Sequence, residues 1–276
     1  MSKIIRQVYF QVDDNLNLFK NNYWGLADYI RGTMSLWQLC KKYGYELRVN
    51  FNKHPISNFI NCHDDLTDLD LKKVKFFVHK EDGNLINFLE ICDNNQSIFT
   101  NGWPENYDEN ISDDCKNFII ENCLDFKSEI LDRFDKFWRT LDSNNKEYHV
   151  IHIRSGDEIL IKDQPLKSDF INKIDKLYSQ ILYDRNIKSS DIVLLSDSHK
   201  LSKLLNSIHD CRISESKPVH IGIVGTKLDD IGDTIFDFLI LTRSKTINQI
   251  SVYHWSSGFS LICNILYKIP KFVYNI

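Results

Sequence analysis

Tyr148-His149-Val150-Ile151-His152-Ile153-Arg154-Ser155-Gly156-Asp157 is a short buried-type strand that runs directly into a glycine-bearing turn. The strand reads from Tyr148 to Ile153, and a cation, Arg154, stands where it ends. Downstream, Phe170 to Asp184 is an amphipathic helix, Asp191 to Leu195 a strand and Lys200 to Ile208 a helix. Val219 to Val224, Asp230 to Thr242, Thr246 to Ser251, Gly258 to Leu266 and Phe272 to Tyr274 continue the alternation. Such a β-α-β-α series predicts a mostly parallel sheet with helices on both faces, and ligands bind beyond the carboxyl ends of the strands in sheets of that kind.

Upstream, a strand from Ile4 to Phe10, a helix from Ala27 to Lys42 and a strand from Tyr45 to Phe51 form a β-loop-α-β unit. Lys73 to His79 and Ser97 to Thr100 are further strand candidates. Ile119, Cys123, Phe126, Ile130, Phe134 and Phe137, spaced three or four apart, predict one long helix from Asp113 to Leu141. The polar turn Asp142-Ser143-Asn144-Asn145 follows and is the expected boundary between two lobes, 1–145 and 146–276. The expected fold class is α/β, with two Rossmann-like lobes.

Composition narrows the partners. The 276 residues are 42% hydrophobic and 26% charged, and 10 Gly with 5 Pro leave no room for a long linker. A net charge of -4 removes the electrostatic drive for binding nucleic acid. The seven cysteines are scattered, without CxxC or paired Cys/His spacing, which speaks against structural zinc and for a reducing compartment. Met1 to Val12 has no long apolar run, and the longest such stretch, Ile235 to Leu241, is broken by Asp237; a soluble, cytoplasmic protein with no membrane span is expected.

Arg154 puts a planar fork at the sheet edge, where it can take two oxygens of a diphosphate together, and Gly156 lets backbone approach a ligand closely. An ion pair from Arg154 to Asp157, with His152 a satisfied core histidine, accounts for the same residues. In Leu194-Leu195-Ser196-Asp197-Ser198, Asp197 can accept from a base or ribose and the serines offer hydroxyls, or the cluster caps the following helix. Farther on, Asp237 lies on a helix, and Ser256, Ser257, Gly258 and Phe259 open another whose free N–H groups suit a phosphate without a metal. An N-cap for Ser257 and core packing for Phe259 are the plainer roles. In Trp24-Gly25-Leu26-Ala27-Asp28, the carboxylate is either a general base for an acceptor hydroxyl or a first-turn residue paired with Arg31.

The hexapeptide from His152 to Asp157 resembles the HxRxGD motif of the fucosyltransferase superfamily, which includes α1,2-, α1,6- and protein O-fucosyltransferases. The 194–198 segment is similar to that family's Ser/Thr-Asp segment beside the donor nucleotide. The segment from Asp237 to Ser260 resembles its last motif, with Gly258 where many relatives have Ser before the Phe. The turn at Gly25 and Leu26 resembles the family's glycine-rich first turn, with Ala27 and Asp28 in place of the usual Gly and Asn. The resemblance covers 148–274 and, in the first half, only that turn.

It implies a GT-B-like fold and inverting transfer of L-fucose from GDP-fucose to a glycan or other hydroxyl acceptor. Arg154 would neutralise the departing diphosphate in place of a metal, so neither metal nor cofactor is expected; Asp28 departs from the family's pattern and is the candidate base by the chemistry of its carboxylate alone. His152, Gly156, Asp157, Ser196, Asp197, Ser198, Asp237, Ser256, Ser257, Gly258 and Phe259 would line the donor site in the C-terminal lobe. Two readings compete: another nucleotide sugar on the same fold, and a non-catalytic glycan- or nucleotide-binding protein. The sequence contains neither GxxxxGK[ST] nor GxGxxG.

Overall fold

The structure is a computed structural model and describes residues 2–11, 24–77, 84–101, 111–141, 147–160, 164–254 and 257–276. The chain divides into two compact units, Met1–Lys127 with Ile221–Gly225, and Ser128–His220 with Thr226–Ile276.

The first unit contains β1 (Ile4–Val8), α1 (Leu26–Tyr43), β2 (Glu46–Asn50), β3 (Lys75–Phe77), α2 (Leu85–Glu90), β4 (Gln96–Thr100) and α3 (Asp113–Cys123). Its strands are all parallel, in the order β2-β1-β4-β3. One apolar cluster joins Leu36 and Cys40 of α1 to Ile5, Leu47, Phe77 and Ile98 of the strands, which follows from the period-two and period-3.6 patterns meeting. Gly44 closes α1 in the left-handed conformation, φ 69°, and its N–H returns to the Cys40 carbonyl. Beyond the strand ends, Tyr9 stacks between Tyr29 and His54, with ring centroids 4.6 and 4.2 Å away. His54 Nδ1 accepts from Ile56 N at 3.0 Å, so the proton sits on Nε2 and is donated to the Ile221 carbonyl at 3.0 Å.

The helix expected from Asp113 to Leu141 is instead two, α3 and α4 (Ser128–Thr140). Between them the backbone bonds to the chain at 59–61 instead of to itself: Phe126 bridges Ile60, Asn61 N donates to Asp125 O, and Lys127 N donates to Phe59 O. The apolar spacing survives this break, which is why the pattern read as continuous.

The second unit begins with α4 and continues with β5 (His149–Arg154), α5 (Asp157–Leu160), α6 (Ser168–Arg185), β6 (Ile192–Ser196), α7 (His199–His209), β7 (Arg212–Ile213), α8 (Leu228–Thr242), β8 (Thr246–Ser251), α9 (Gly258–Tyr267) and β9 (Lys271–Asn275). The sheet is again parallel, in the order β7-β6-β5-β8-β9. Ile151 and Ile153 join the core formed with α6 and α7. α8 is buried over nearly its whole length from Ile231 to Thr242, as its apolar run requires. Both units are Rossmann-like, and the fold is α/β of the GT-B-like class. Among the described residues, no helix is long and apolar enough to cross a membrane.

Two features differ from the sequence reading. The unit boundary lies at 127/128, because α4 packs on α8: Arg133 Nη2 bonds Asp233 Oδ1 at 2.7 Å and Phe137 meets Phe236 edge-on. Residues 142–145 lie outside the described residues. Val219 to Val224 form no strand; the edge position goes to β7, and Ile221–Gly225 return to the first unit. A Cβ on Gly222 would sit 2.3 Å from the Trp24 carbonyl oxygen, so only glycine fits this close backbone approach.

Candidate functional site

In the second sheet the chain moves from β5 to β6 and β7 on one side, then returns to place β8 and β9 on the other. The reversal lies between β5 and β8, whose ends are level, Arg154 opposite Ser251. Loops leaving such neighbours diverge and open a crevice at the carboxyl edge, the usual ligand position in open α/β sheets.

Arg154 stands at that edge. Its Nη1 donates to Asp197 Oδ2 at 2.7 Å, and its guanidinium carbon lies 5.9 Å from the centre of the Tyr253 ring. Asp197, just past β6, does more than pair with it: Oδ1 accepts from Ser155 N at 2.7 Å and Oδ2 from Gly156 N at 3.3 Å. One buried carboxylate therefore fixes the backbone after β5 and orients the cation together. Gly156 has φ 106°, a conformation that excludes side chains at low cost, and a Cβ there would press on Val252 Cγ2 at 3.1 Å.

His152 points from β5 to α9, where its Nδ1 lies 2.6 Å from Ser260 Oγ. Burial, and next the charge of Arg154, push its pKa down to about 3, so the imidazole is neutral. Ser196 Oγ accepts from Ser198 N at 3.0 Å, and Ser198 Oγ accepts from Leu201 N at 3.4 Å, which makes Ser198 the N-cap of α7. Ser257 occupies the N-cap position of α9 without a side-chain cap bond, Gly258 is the first helical residue, and Phe259 packs edge-on against Phe238 at 5.2 Å. Ser256 lies outside the described residues, as does the side chain of Asp157, whose backbone begins α5.

The structure brings Arg154, Gly156, Ser196, Asp197 and Ser198 together at one corner. Within it, both carboxylate oxygens of Asp197 accept from the loop after β5, and one also from Arg154. Asp237 belongs elsewhere. It is buried on α8 with no hydrogen-bond partner for Oδ1, and burial raises its pKa to about 7, opposed by the hydroxyls of Ser214 and Ser216. Asp28 lies in the first unit, where Gly25 N donates to its Oδ2 at 3.0 Å and Arg31 pairs with its Oδ1. Both contacts belong to the start of α1, of which Leu26 is the buried first residue. Sequence reasoning did not single out Tyr253, which lies beside Arg154 and Gly156, or Ser260 as the partner of His152. Among the described residues, no three His, Cys, Asp or Glu side chains gather as a metal would require.

No family model and no curated protein matches the chain. Solved structures do. The fucosyltransferase NodZ from Bradyrhizobium aligns in two crystal structures at TM-scores of 0.57 and 0.59, with 12% identity, over 96% of this chain and 94% and 92% of those. POFUT1 in complex with GDP aligns at a TM-score of 0.50 with 11% identity, over 100% of this chain and 99% of that one. Across the length of both, the chain has the fold of the solved fucosyltransferases.

Proposed function

We propose that this protein is an inverting glycosyltransferase that moves L-fucose from GDP-fucose to a hydroxyl of a glycan or similar acceptor, without a metal. The observation that carries the reading is Arg154 at the switch point of the second sheet, held by Asp197 beside a glycine turn. A guanidinium oriented before the ligand arrives stabilises charge where it develops, on the diphosphate as the bond to the sugar breaks. The acceptor oxygen then bonds to the sugar carbon from the opposite face and loses its proton to a base. The resemblance of the hexapeptide supplies the fucose and guanine part of the reading, and the GDP bound to POFUT1 supports it.

Asp28 is the proposed base, in competition with its structural duty to Gly25 and Arg31. We read the setting as cytoplasmic, since all seven cysteines are free and six are buried.

Thermal shift with a nucleotide panel tests the donor. GDP and GDP-fucose raise the melting temperature and UDP does not, because a ligand that binds only the folded state stabilises it by mass action. A shift with UDP-sugars alone transfers the reading to another donor, and binding without hydrolysis or transfer to any acceptor makes the protein a binding module. Transfer that persists in excess EDTA is expected; a strict Mn²⁺ or Mg²⁺ requirement overturns the metal-free mechanism.

A further inference from the structure

β8 ends at Ser251, and the next two residues turn back over the loop that follows β5. Val252 N donates to the Arg154 carbonyl at 3.2 Å, and Tyr253 N donates to Ser251 Oγ at 3.1 Å. These bonds set the Tyr253 ring beside Arg154, 5.9 Å from the guanidinium carbon. The ring's orientation is also fixed. A Cβ built on Gly156 would lie 3.6 Å from Tyr253 Oη and 3.9 Å from Cζ, so the hydroxyl end of the half-buried ring rests at the glycine turn. A neutral O–H donor and a cation therefore occupy one corner at the carboxyl edge of the sheet, beside a glycine that carries no side chain. Donors of two kinds at one point suit a group with several anionic oxygens.

We propose that Tyr253 is a further donor-site residue, whose hydroxyl hydrogen-bonds the terminal phosphate of a nucleoside diphosphate held by Arg154. The inference rests on the diphosphate reading of Arg154. It separates Tyr253 from a packing residue, for which only the ring matters.

Tyr253→Phe keeps the ring and deletes one oxygen. Calorimetric titration of wild type and Tyr253→Phe with GDP and with GMP, alongside melting temperatures, tests the contact. Expected is a GDP affinity about tenfold weaker in Tyr253→Phe, the effect of one hydrogen bond to a charged group, with GMP affinity and melting temperature unchanged. Equal GDP affinity in the two proteins overturns the contact. So does an equal weakening of GDP and GMP, or a fall in melting temperature that accounts for the loss. Wild-type protein that binds GDP no better than GMP overturns the diphosphate reading itself, and the Tyr253 contact with it.

Discussion

His152 and Ser260 are joined by a 2.6 Å hydrogen bond that ties the strand bearing Arg154 to α9, the helix that Ser257 and Gly258 begin. The imidazole is neutral, so one of its nitrogens accepts and the other donates, and the serine hydroxyl can meet Nδ1 in either role. Ser260→Ala leaves Nδ1 buried without a partner. A loss of about 1–3 kcal/mol in urea unfolding is expected, the cost of an unsatisfied buried polar group. Unchanged stability would mean that the bond contributes nothing.

Removing the cation tests the centre of the site. Arg154→Ala is expected to abolish transfer while circular dichroism stays native, and Arg154→Lys to restore little, since an ammonium lacks the planar fork. Asp197→Asn turns one acceptor oxygen into a donor NH₂, which must face either Ser155 N or the pair Arg154 Nη1 and Gly156 N. It should cost about 3 kcal/mol, typical of breaking a buried pair, and weaken donor binding as well. Near-normal turnover in Arg154→Ala would remove Arg154 from the chemistry.

Gly156→Ala probes the turn. With φ at 106° and Val252 Cγ2 at 3.1 Å, the added methyl is strained both in the backbone and against its neighbour. A loss of about 1–3 kcal/mol is expected, accompanied by weaker GDP binding as the loop after β5 shifts. Stability equal to wild type would show that the loop relaxes freely.

Asp28→Asn separates base from cap. The amide oxygen can still accept from Gly25 N, whereas the ion pair with Arg31 is lost, so stability should fall by about 1 kcal/mol or less. A base contributes a factor of about 10² to 10⁴, so turnover per folded molecule should drop by that much at unchanged GDP affinity. Full turnover in the variant would confine Asp28 to the helix start.

Asp237 and two histidines set opposing pH dependences. Burial raises Asp237 from 3.8 to about 7, so between those values the folded chain holds a proton that the unfolded chain has released. Its stabilising effect is complete below about pH 4 and is lost as the pH rises through 7. His54 and His152 are lowered from 6.5 to about 3, mainly by burial; their effect is complete above pH 6.5 and is lost on acidification toward pH 3. Each contributes a slope of about 1.4 kcal/mol per pH unit in the shared window, so Asp237 offsets one histidine. Asp237→Asn removes the offset, and urea unfolding between pH 4.5 and 6.5 should show stability falling more steeply on acidification than in wild type. Parallel curves would mean that Asp237 is ionised in the fold.

Alternation and apolar period made the second sheet legible because β5, β6 and β8 are buried on both faces and bounded by polar turns. The same pattern misled where backbone hydrogen bonds decide the outcome. Phe126 keeps helical spacing while its neighbours bond to residues 59–61, and Val219 to Val224 look strand-like while their backbone is used elsewhere. At the site, Arg154 and Gly156 were readable from residue type and place. The partner of Arg154 was not, because Asp197 is 43 residues away and meets it only when β5 and β6 lie side by side. Tyr253 was hidden for a related reason, since its relation to Gly156 exists only once β8 pairs with β5.

The return of Ile221–Gly225 gives the first unit a debt to residues made long after its own. When the ribosome has emitted 127 residues, the proton on His54 Nε2 has no Ile221 carbonyl to meet, and no Gly222 lies against Trp24. Vectorial synthesis therefore cannot complete the N-terminal unit first and the C-terminal unit afterwards. The four strands of the first sheet are all present by Thr100, but its surroundings at His54 and Trp24 stay uncovered until residues 221–225 have emerged, after β5, β6 and β7 of the second sheet, and a fragment ending at Lys127 would expose a buried histidine and the backbone of Trp24 to water.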